Sequence, residues 1–150
     1  NLLIVRTLSK FYGLPGLRLG FAFMGTSLTR FLNYSTKYLG YNRLSEELGI
    51  AVLKATDYYQ RVADQMAEDR QMYIDELQPL EGFKVYESNA NFMLVKYPIE
   101  LKEKLQAAFK AKGYLIKFMN EADINTHMRI TLGTHHQNCQ VIETIKEVVC

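Results

Sequence analysis

RTLSKFYGLPGLRLG, residues 6–20, is the stretch from which the rest of the chain is interpreted, because chemically special residues concentrate in it. The apolar run before it, residues 2–5, is typical of a strand buried on both faces of a parallel sheet. Thr7, Ser9 and Lys10 follow at the carboxyl end of that strand. Ligands bind at the carboxyl ends of strands in open α/β sheets, so we predict a ligand site here.

The second half of the stretch adds a turn and a cation. The turn at residues 14–16 contains Pro and Gly, and Arg18 then opens a second apolar strand over residues 19–24. A guanidinium pairs bidentately with phosphate oxygens, and a hydroxyl donates a hydrogen bond to them. Thr7, Lys10 and Arg18 are therefore predicted to converge on one small anion.

This stretch resembles the lysine signature of pyridoxal-phosphate enzymes of the aspartate-aminotransferase superfamily, the class I/II aminotransferases. Thr7, Lys10, Arg18 and Gly20 match every position of that signature. The local sequence is most similar to that of histidinol-phosphate aminotransferases, while KFYGLPGLR is also similar to threonine-phosphate decarboxylases.

The resemblance implies a cofactor and a role for each residue. Pyridoxal 5'-phosphate is the implied cofactor, and Lys10 is the catalytic residue that forms the Schiff base with it. Thr7, Ser9 and Arg18 are implied to bind the cofactor phosphate.

Composition sets the class of protein. The chain has 150 residues, 48% hydrophobic and 23% charged, as in an ordinary globular protein. A net charge of +2 gives no reason to expect nucleic acid or an anionic membrane as partner. No apolar run of membrane-spanning length and no export signal stands out. Cys139 and Cys150 lack the spacing of a disulfide framework, so we expect reduced thiols in a cytoplasmic protein.

Metal binding is not expected. His135 and His136 are adjacent, and no cysteine or carboxylate stands near them at ligand spacing.

The chain begins with Asn1 inside the first predicted strand, so we expect it to be the carboxyl-terminal portion of a longer enzyme and to be inactive alone. The expected fold class is α/β. The chain is expected to contain the end of a large cofactor-binding domain, which is a mostly parallel sheet with helices, and then a small α+β domain. The resemblance divides the chain into residues 1–56 of the large domain, a connecting helix at 57–79 and a small domain at 80–150.

Helix signals support this division. Ser45 with two glutamates after it predicts one helix start, and Asp57 with Gln60 predicts a capping box that opens a long helix to about Leu77. Thr134 with Gln137 predicts a second capping box before the last helix. Between them, strand patterns lie at residues 83–87, 92–97, 114–119 and 128–132, with an amphipathic helix after Leu101.

Arg129 is the second candidate site residue. Alternation along residues 128–132 sends it to the face opposite Met128, Ile130 and Leu132, where it needs either solvent or an anionic partner. The motif RITLGT resembles the carboxyl-terminal motif of histidinol-phosphate aminotransferases. The resemblance implies that Arg129 binds the α-carboxylate of the substrate.

The function implied is amino transfer between an amino acid or amino-alcohol phosphate and a 2-oxo acid, by an enzyme expected to be a homodimer. A threonine-phosphate-type decarboxylase and a non-catalytic, aminotransferase-like regulatory domain remain the alternatives. An aminotransferase breaks the bond between the α-carbon and its hydrogen. A decarboxylase breaks the bond between the α-carbon and the carboxylate.

Overall fold

The structure is a computed structural model that describes residues 2–31 and 42–149. The chain divides into two compact units, Asn1–Arg61 and Val62–Cys150, which are described separately below. No helix among the described residues is both long and apolar enough to span a membrane.

The first unit begins with a pair of antiparallel strands, β1 (Leu3–Thr7) and β2 (Gly20–Met24). Every side chain of β1 is exposed, and all strand pairs in the described part of the chain are antiparallel. Among the described residues, β1 therefore has neither the parallel neighbour nor the burial on both faces that its sequence pattern predicts. A parallel neighbour would need a crossover, usually helical, but the chain returns directly through a short 3₁₀ helix at Pro15–Leu17.

Among the described residues, three helices lie between β2 and the next strand. A 3₁₀ helix covers Thr26–Phe31, and α1 covers Arg43–Lys54. The cap of α1 is Asn42, whose side chain accepts hydrogen bonds from the backbone N–H groups of residues 44 and 45. Ser45 is thus inside the helix and not its start. The predicted long helix is confirmed as α2, Thr56–Leu77.

The second unit contains a four-stranded antiparallel sheet in the order β3-β4-β6-β5. Its strands are β3 (Lys84–Tyr86), β4 (Phe92–Lys96), β5 (Lys117–Phe118) and β6 (His127–Thr131). Two helices, α3 (Lys102–Ala111) and α4 (His135–Val149), complete the α+β layer. The strand predicted over residues 114–119 is therefore only two residues long.

One face of this sheet forms the core. Inward side chains of the strands pack with buried residues of the second half of α2, of α3 and of α4. The core consists of Tyr73, Leu77, Phe83, Val85, Met93, Val95, Tyr97, Leu105, Phe109, Met128, Ile130, Val141, Ile142 and Ile145. Truncating one large member to alanine typically costs about 2–5 kcal/mol, so this face holds the unit together.

The predicted cap of the last helix is confirmed. The Thr134 N–H donates to Gln137 Oε1 at 2.9 Å, and the Gln137 N–H donates to Thr134 Oγ1 at 3.4 Å. This reciprocal pair satisfies two donors at the start of α4 and fixes the direction in which the helix leaves β6.

Tyr97 gives a stability prediction, because its hydroxyl is buried without a hydrogen-bond partner among the described residues. Burial also raises the pKa of Tyr97. We expect Tyr97→Phe to leave the free energy of unfolding unchanged or to raise it by about 1 kcal/mol, since the variant removes an unsatisfied polar group. Urea unfolding measures this.

Tyr114→Phe is the matched control, because the Tyr114 hydroxyl donates to Gln140 Oε1. Its loss should destabilise the protein by about 1 kcal/mol. A Tyr97→Phe variant as destabilised as Tyr114→Phe would contradict the prediction.

Candidate active site

Two hydroxyls meet where β1 ends. Thr7 Oγ1 and Ser9 Oγ lie 2.8 Å apart, and the Ser9 N–H donates to Thr7 Oγ1 at 3.1 Å. Thr7 Oγ1 also donates to the Leu19 carbonyl oxygen at 3.4 Å. The turn after β1 is thus tied to the start of β2, and both hydroxyls lie on one loop surface.

Arg18 has an unusual backbone conformation. Its φ of 53° and ψ of 37° place it in the left-handed region, and no other non-glycine residue in the described part of the chain has a positive φ. Such backbone costs of order 1 kcal/mol or more and concentrates at functional sites. The Arg18 guanidinium donates to the Pro15 carbonyl oxygen at 3.2 Å, so the short helix holds it at the mouth of the turn.

Lys10 lies on the surface of this turn above a buried anchor. Its carbonyl oxygen accepts from the Gly13 N–H at 2.9 Å, and its side chain is exposed. Leu8, two residues earlier, is only 2% exposed and lies beneath α1 at Gly49. The anchor and the turn fix the backbone at Lys10 while the amine stays accessible.

The donor set fits pyridoxal phosphate. Two hydroxyls and a guanidinium are the groups that bind a phosphate, and the exposed amine of Lys10 is the group that reacts with an aldehyde. All four side chains come from the twelve residues between Thr7 and Arg18, and none of the four is fully buried.

Gly20 sets the spacing of β1 and β2 at the end of β1 where Thr7 lies. It pairs with Thr7 across the two strands, and a Cβ added to it would lie 2.9 Å from the Arg6 carbonyl oxygen. We expect Gly20→Ala to push β2 away from β1 and to lower the free energy of unfolding by about 1–3 kcal/mol. Thermal unfolding measures the effect.

Gly25→Ala is the control for that experiment. Gly25 lies just after β2, and an added Cβ would have no atom within 4 Å. Equal unfolding temperatures for the two alanine variants would refute the role of Gly20.

An aromatic cluster beside the turn was missed by the sequence analysis. The ring centroids of Tyr12 and Tyr59 lie 4.8 Å apart, those of Phe11 and Tyr12 5.2 Å. The Tyr59 hydroxyl donates to the Tyr12 carbonyl oxygen at 3.2 Å. Burial, together with Tyr58 and Tyr12, raises the pKa of Tyr59. Phe11 and Tyr12 are adjacent in residues 6–20 and signal an aromatic contact. Their partner Tyr59 could not be predicted, because it lies 47 positions from Tyr12 in the sequence.

In the second unit, the structure places Arg129 on the outer face of the sheet. Met128 and Ile130 are buried and Arg129 is exposed, so the predicted alternation is confirmed. Arg129 pairs with Leu94 on one side and with Lys117 on the other. Its guanidinium carbon lies 5.5 Å from the ring centroid of Phe92. This contact orients the cation, and Phe92 is a second residue that the sequence analysis missed.

A cleft of about 390 Å³ opens at Arg129. It is lined by Leu115, Ile116, Lys117, Arg129 and Thr131. Leu115 is fully exposed at its edge. Two cations beside apolar side chains suit a small carboxylate with an apolar part.

For metals, the described ranges contain no group of three or more His, Cys, Asp and Glu side chains arranged to hold an ion.

The whole chain can be compared with known protein families. The family aminotransferase class I and II matches residues 1–145, nearly the whole chain, and the chain belongs to this family. The family predicted by residues 6–20 is therefore confirmed.

Among individual proteins, the chain is similar to histidinol-phosphate aminotransferases. The chain is 32% identical over 149 residues to histidinol-phosphate aminotransferase 2 of Archaeoglobus fulgidus, covering 99% of this chain and 43% of that protein. The chain thus spans less than half the length of this relative.

Solved structures show the same fold. Histidinol-phosphate aminotransferase from Sinorhizobium meliloti, in complex with pyridoxal-5'-phosphate, matches with a TM-score of 0.78 at 23% identity, over 99% of this chain and 41% of that one. L-threonine-O-3-phosphate decarboxylase from Porphyromonas gingivalis matches with a TM-score of 0.73 at 21% identity, over 98% and 46%. These two likenesses show that the chain has the aminotransferase fold.

Proposed function

We propose that this chain is the carboxyl-terminal portion of a pyridoxal-phosphate-dependent aminotransferase of the histidinol-phosphate type. The proposal rests on one observation above all. Thr7 Oγ1 and Ser9 Oγ lie 2.8 Å apart, and the exposed Lys10 and the left-handed Arg18 follow within the same twelve-residue segment, in a chain that belongs to the aminotransferase family.

Thr7, Ser9 and Arg18 would hold the cofactor phosphate. Their hydroxyl and guanidinium hydrogens supply several donors to one dianion, and charge-assisted bonds of this kind are among the strongest in proteins. In its left-handed conformation Arg18 donates to the Pro15 carbonyl oxygen from both its backbone N–H and its guanidinium, which fixes the side chain near the turn. Lys10 would attach the cofactor covalently through its Nζ atom.

The chemistry divides between cofactor and chain. When bound, pyridoxal phosphate supplies an electron sink for the charge that develops at the substrate α-carbon. Lys10 Nζ, once free of the cofactor, moves a proton from that carbon as a general base. Arg129 binds the α-carboxylate of an amino acid or 2-oxo acid and so fixes its orientation.

We also propose the wider assignments that follow from the family. Residues 1–56 would complete a large cofactor-binding domain, residues 57–79 would connect it to a small domain at 80–150, and the complete protein would be a cytoplasmic homodimer. The 150-residue chain alone is expected to be inactive.

Product analysis tests the function. The complete protein, loaded with pyridoxal phosphate, is incubated with histidinol phosphate and 2-oxoglutarate, and separately with threonine phosphate. Formation of glutamate in the first mixture supports the proposal. Release of carbon dioxide in the second, without glutamate in the first, would overturn it in favour of a decarboxylase. No reaction in either would favour a regulatory domain.

A further inference from the structure

A cluster of soft donor atoms lies between α2 and α4. Cys139 Sγ is 3.8 Å from Met72 Sδ and 3.6 Å from His135 Nε2. His135 and Cys139 are one helical turn apart on α4, and Met72 comes from α2, so the three side chains meet across the helix contact. We call these three residues the soft-donor cluster. None of them belongs to the proposed cofactor or carboxylate sites.

The spacing of the atoms is that of ligands around a single metal ion. Bonds of about 2.3 Å to sulfur and about 2.0 Å to nitrogen, at trigonal or tetrahedral angles, put two sulfurs roughly 3.8–4.0 Å apart and a sulfur and a nitrogen roughly 3.5–3.7 Å apart. Both measured distances fall in or at the edge of these ranges. Cys139 Sγ is thus spaced from Met72 Sδ and from His135 Nε2 as two ligands of one ion would be.

A buried carboxylate, Asp69, orients the His135 ring as a metal ligand. Asp69 is 1% exposed, and its Oδ1 lies 2.6 Å from His135 Nδ1. Its Oδ2 accepts from Asn138 Nδ2 at 2.8 Å, which fixes the carboxylate. Because a carboxylate accepts hydrogen bonds, we assign the ring hydrogen to Nδ1, the nitrogen next to Asp69; Gln65 Nε2 lies 3.3 Å from the same Oδ1 and 3.4 Å from Nδ1. The lone pair of the imidazole is then on Nε2, the atom that faces Cys139.

The ligand types select the metal. Thiolate and thioether sulfur favour Cu(I), whereas zinc structural sites require four nitrogen or thiolate ligands and calcium and magnesium require oxygen. We propose that the soft-donor cluster binds one Cu(I) ion through Cys139 Sγ, Met72 Sδ and His135 Nε2. The ion replaces the thiol hydrogen of Cys139, which is released as a proton, and no electron is transferred. This departs from the expectation of a chain without metal.

The two cysteines make a matched test. The complete protein is titrated with Cu(I) against a chromophoric Cu(I) chelator, under anaerobic reducing conditions without added thiol, for wild type, Cys139→Ser and Cys150→Ser. We expect one Cu(I) ion per chain, at least about 100-fold weaker binding in Cys139→Ser, and wild-type binding in Cys150→Ser. Equal affinity of wild type and Cys139→Ser, or loss in Cys150→Ser, would overturn the proposal.

Two further variants separate ligation from packing. Met72→Leu conserves volume and should keep the fold while weakening Cu(I) binding by about tenfold or more. Asp69→Asn removes the carboxylate behind His135, and the loss of such a partner typically weakens metal binding by about 10–100-fold. Circular dichroism checks that the variants are folded. Unchanged Cu(I) affinity in folded Met72→Leu would exclude the thioether ligand and overturn the three-ligand site.

Discussion

Replacing Lys10 by alanine is expected to reduce the rate of amino transfer in the complete protein by at least about 10⁴-fold. The reason is that, in the proposed function, one nitrogen has two tasks: it would attach the cofactor and move the proton at the substrate α-carbon. Loss of a residue that acts as nucleophile and base is among the largest single effects in enzymes. Single-turnover kinetics with glutamate and bound pyridoxal phosphate measure it.

Two further variants test whether charge or chemistry matters at this position. Lys10→Arg keeps the positive charge but cannot take over the covalent role, so it should lose as much activity as Lys10→Ala. Lys54→Ala removes a lysine from the last turn of α1 and should retain wild-type activity. In the wild type, borohydride reduction followed by peptide mass analysis should find the cofactor on Lys10. Finding it on another lysine would contradict the assignment.

Features that depend on a local sequence pattern could be predicted from the sequence. The reciprocal bonds of Thr134 and Gln137 lie within one helical turn, and the alternation around Arg129 lies within one strand. Propensity and periodicity act over this range, so both predictions are confirmed. The first turn of α1 shows the limit, because Asn42 caps the helix although Ser45 followed by two glutamates is the stronger signal.

Longer-range features could not be predicted in the same way. An apolar run such as residues 2–5 does not say which strand it pairs with or in which direction, and the pairing that the structure describes for β1 is antiparallel. Asp69 and His135 are 66 positions apart and meet only because α2 and α4 share a core. Within the soft-donor cluster, the four-residue spacing of His135 and Cys139 is visible in the sequence, whereas their meeting with Met72 is not, because it depends on the packing of α2 against α4.

The two proposed active-site regions differ in how their cations are fixed. Arg18 is held by its own backbone, through the left-handed conformation and the bond to Pro15. Arg129 is held by the sheet register and by the ring of Phe92. A rigid backbone suits a phosphate that stays bound, whereas a side chain oriented on an aromatic ring suits a carboxylate that must enter and leave in each cycle.

Arg129→Gln is expected to lower kcat/KM for 2-oxoglutarate by about 100–1000-fold. Hydrogen bonds to charged groups are worth about 1.5–3 kcal/mol each, and a bidentate pair to a carboxylate contains two. Glutamine keeps the polar character and much of the length but cannot supply a charged fork. Because the carboxylate is bound in the ground state as well, most of the loss should be in KM. Steady-state kinetics at several 2-oxo acid concentrations give the split.

The geometry of the guanidinium is tested by Arg129→Lys, which keeps the charge and loses the planar fork. We expect about a tenfold loss, between the wild type and the glutamine variant. Lys104→Ala is the charge control, because Lys104 is an exposed lysine on α3 outside the cleft. If Arg129→Gln and Lys104→Ala had the same small effect, Arg129 would be a solvated surface charge on β6, and the carboxylate would have to be bound by another residue of the complete protein.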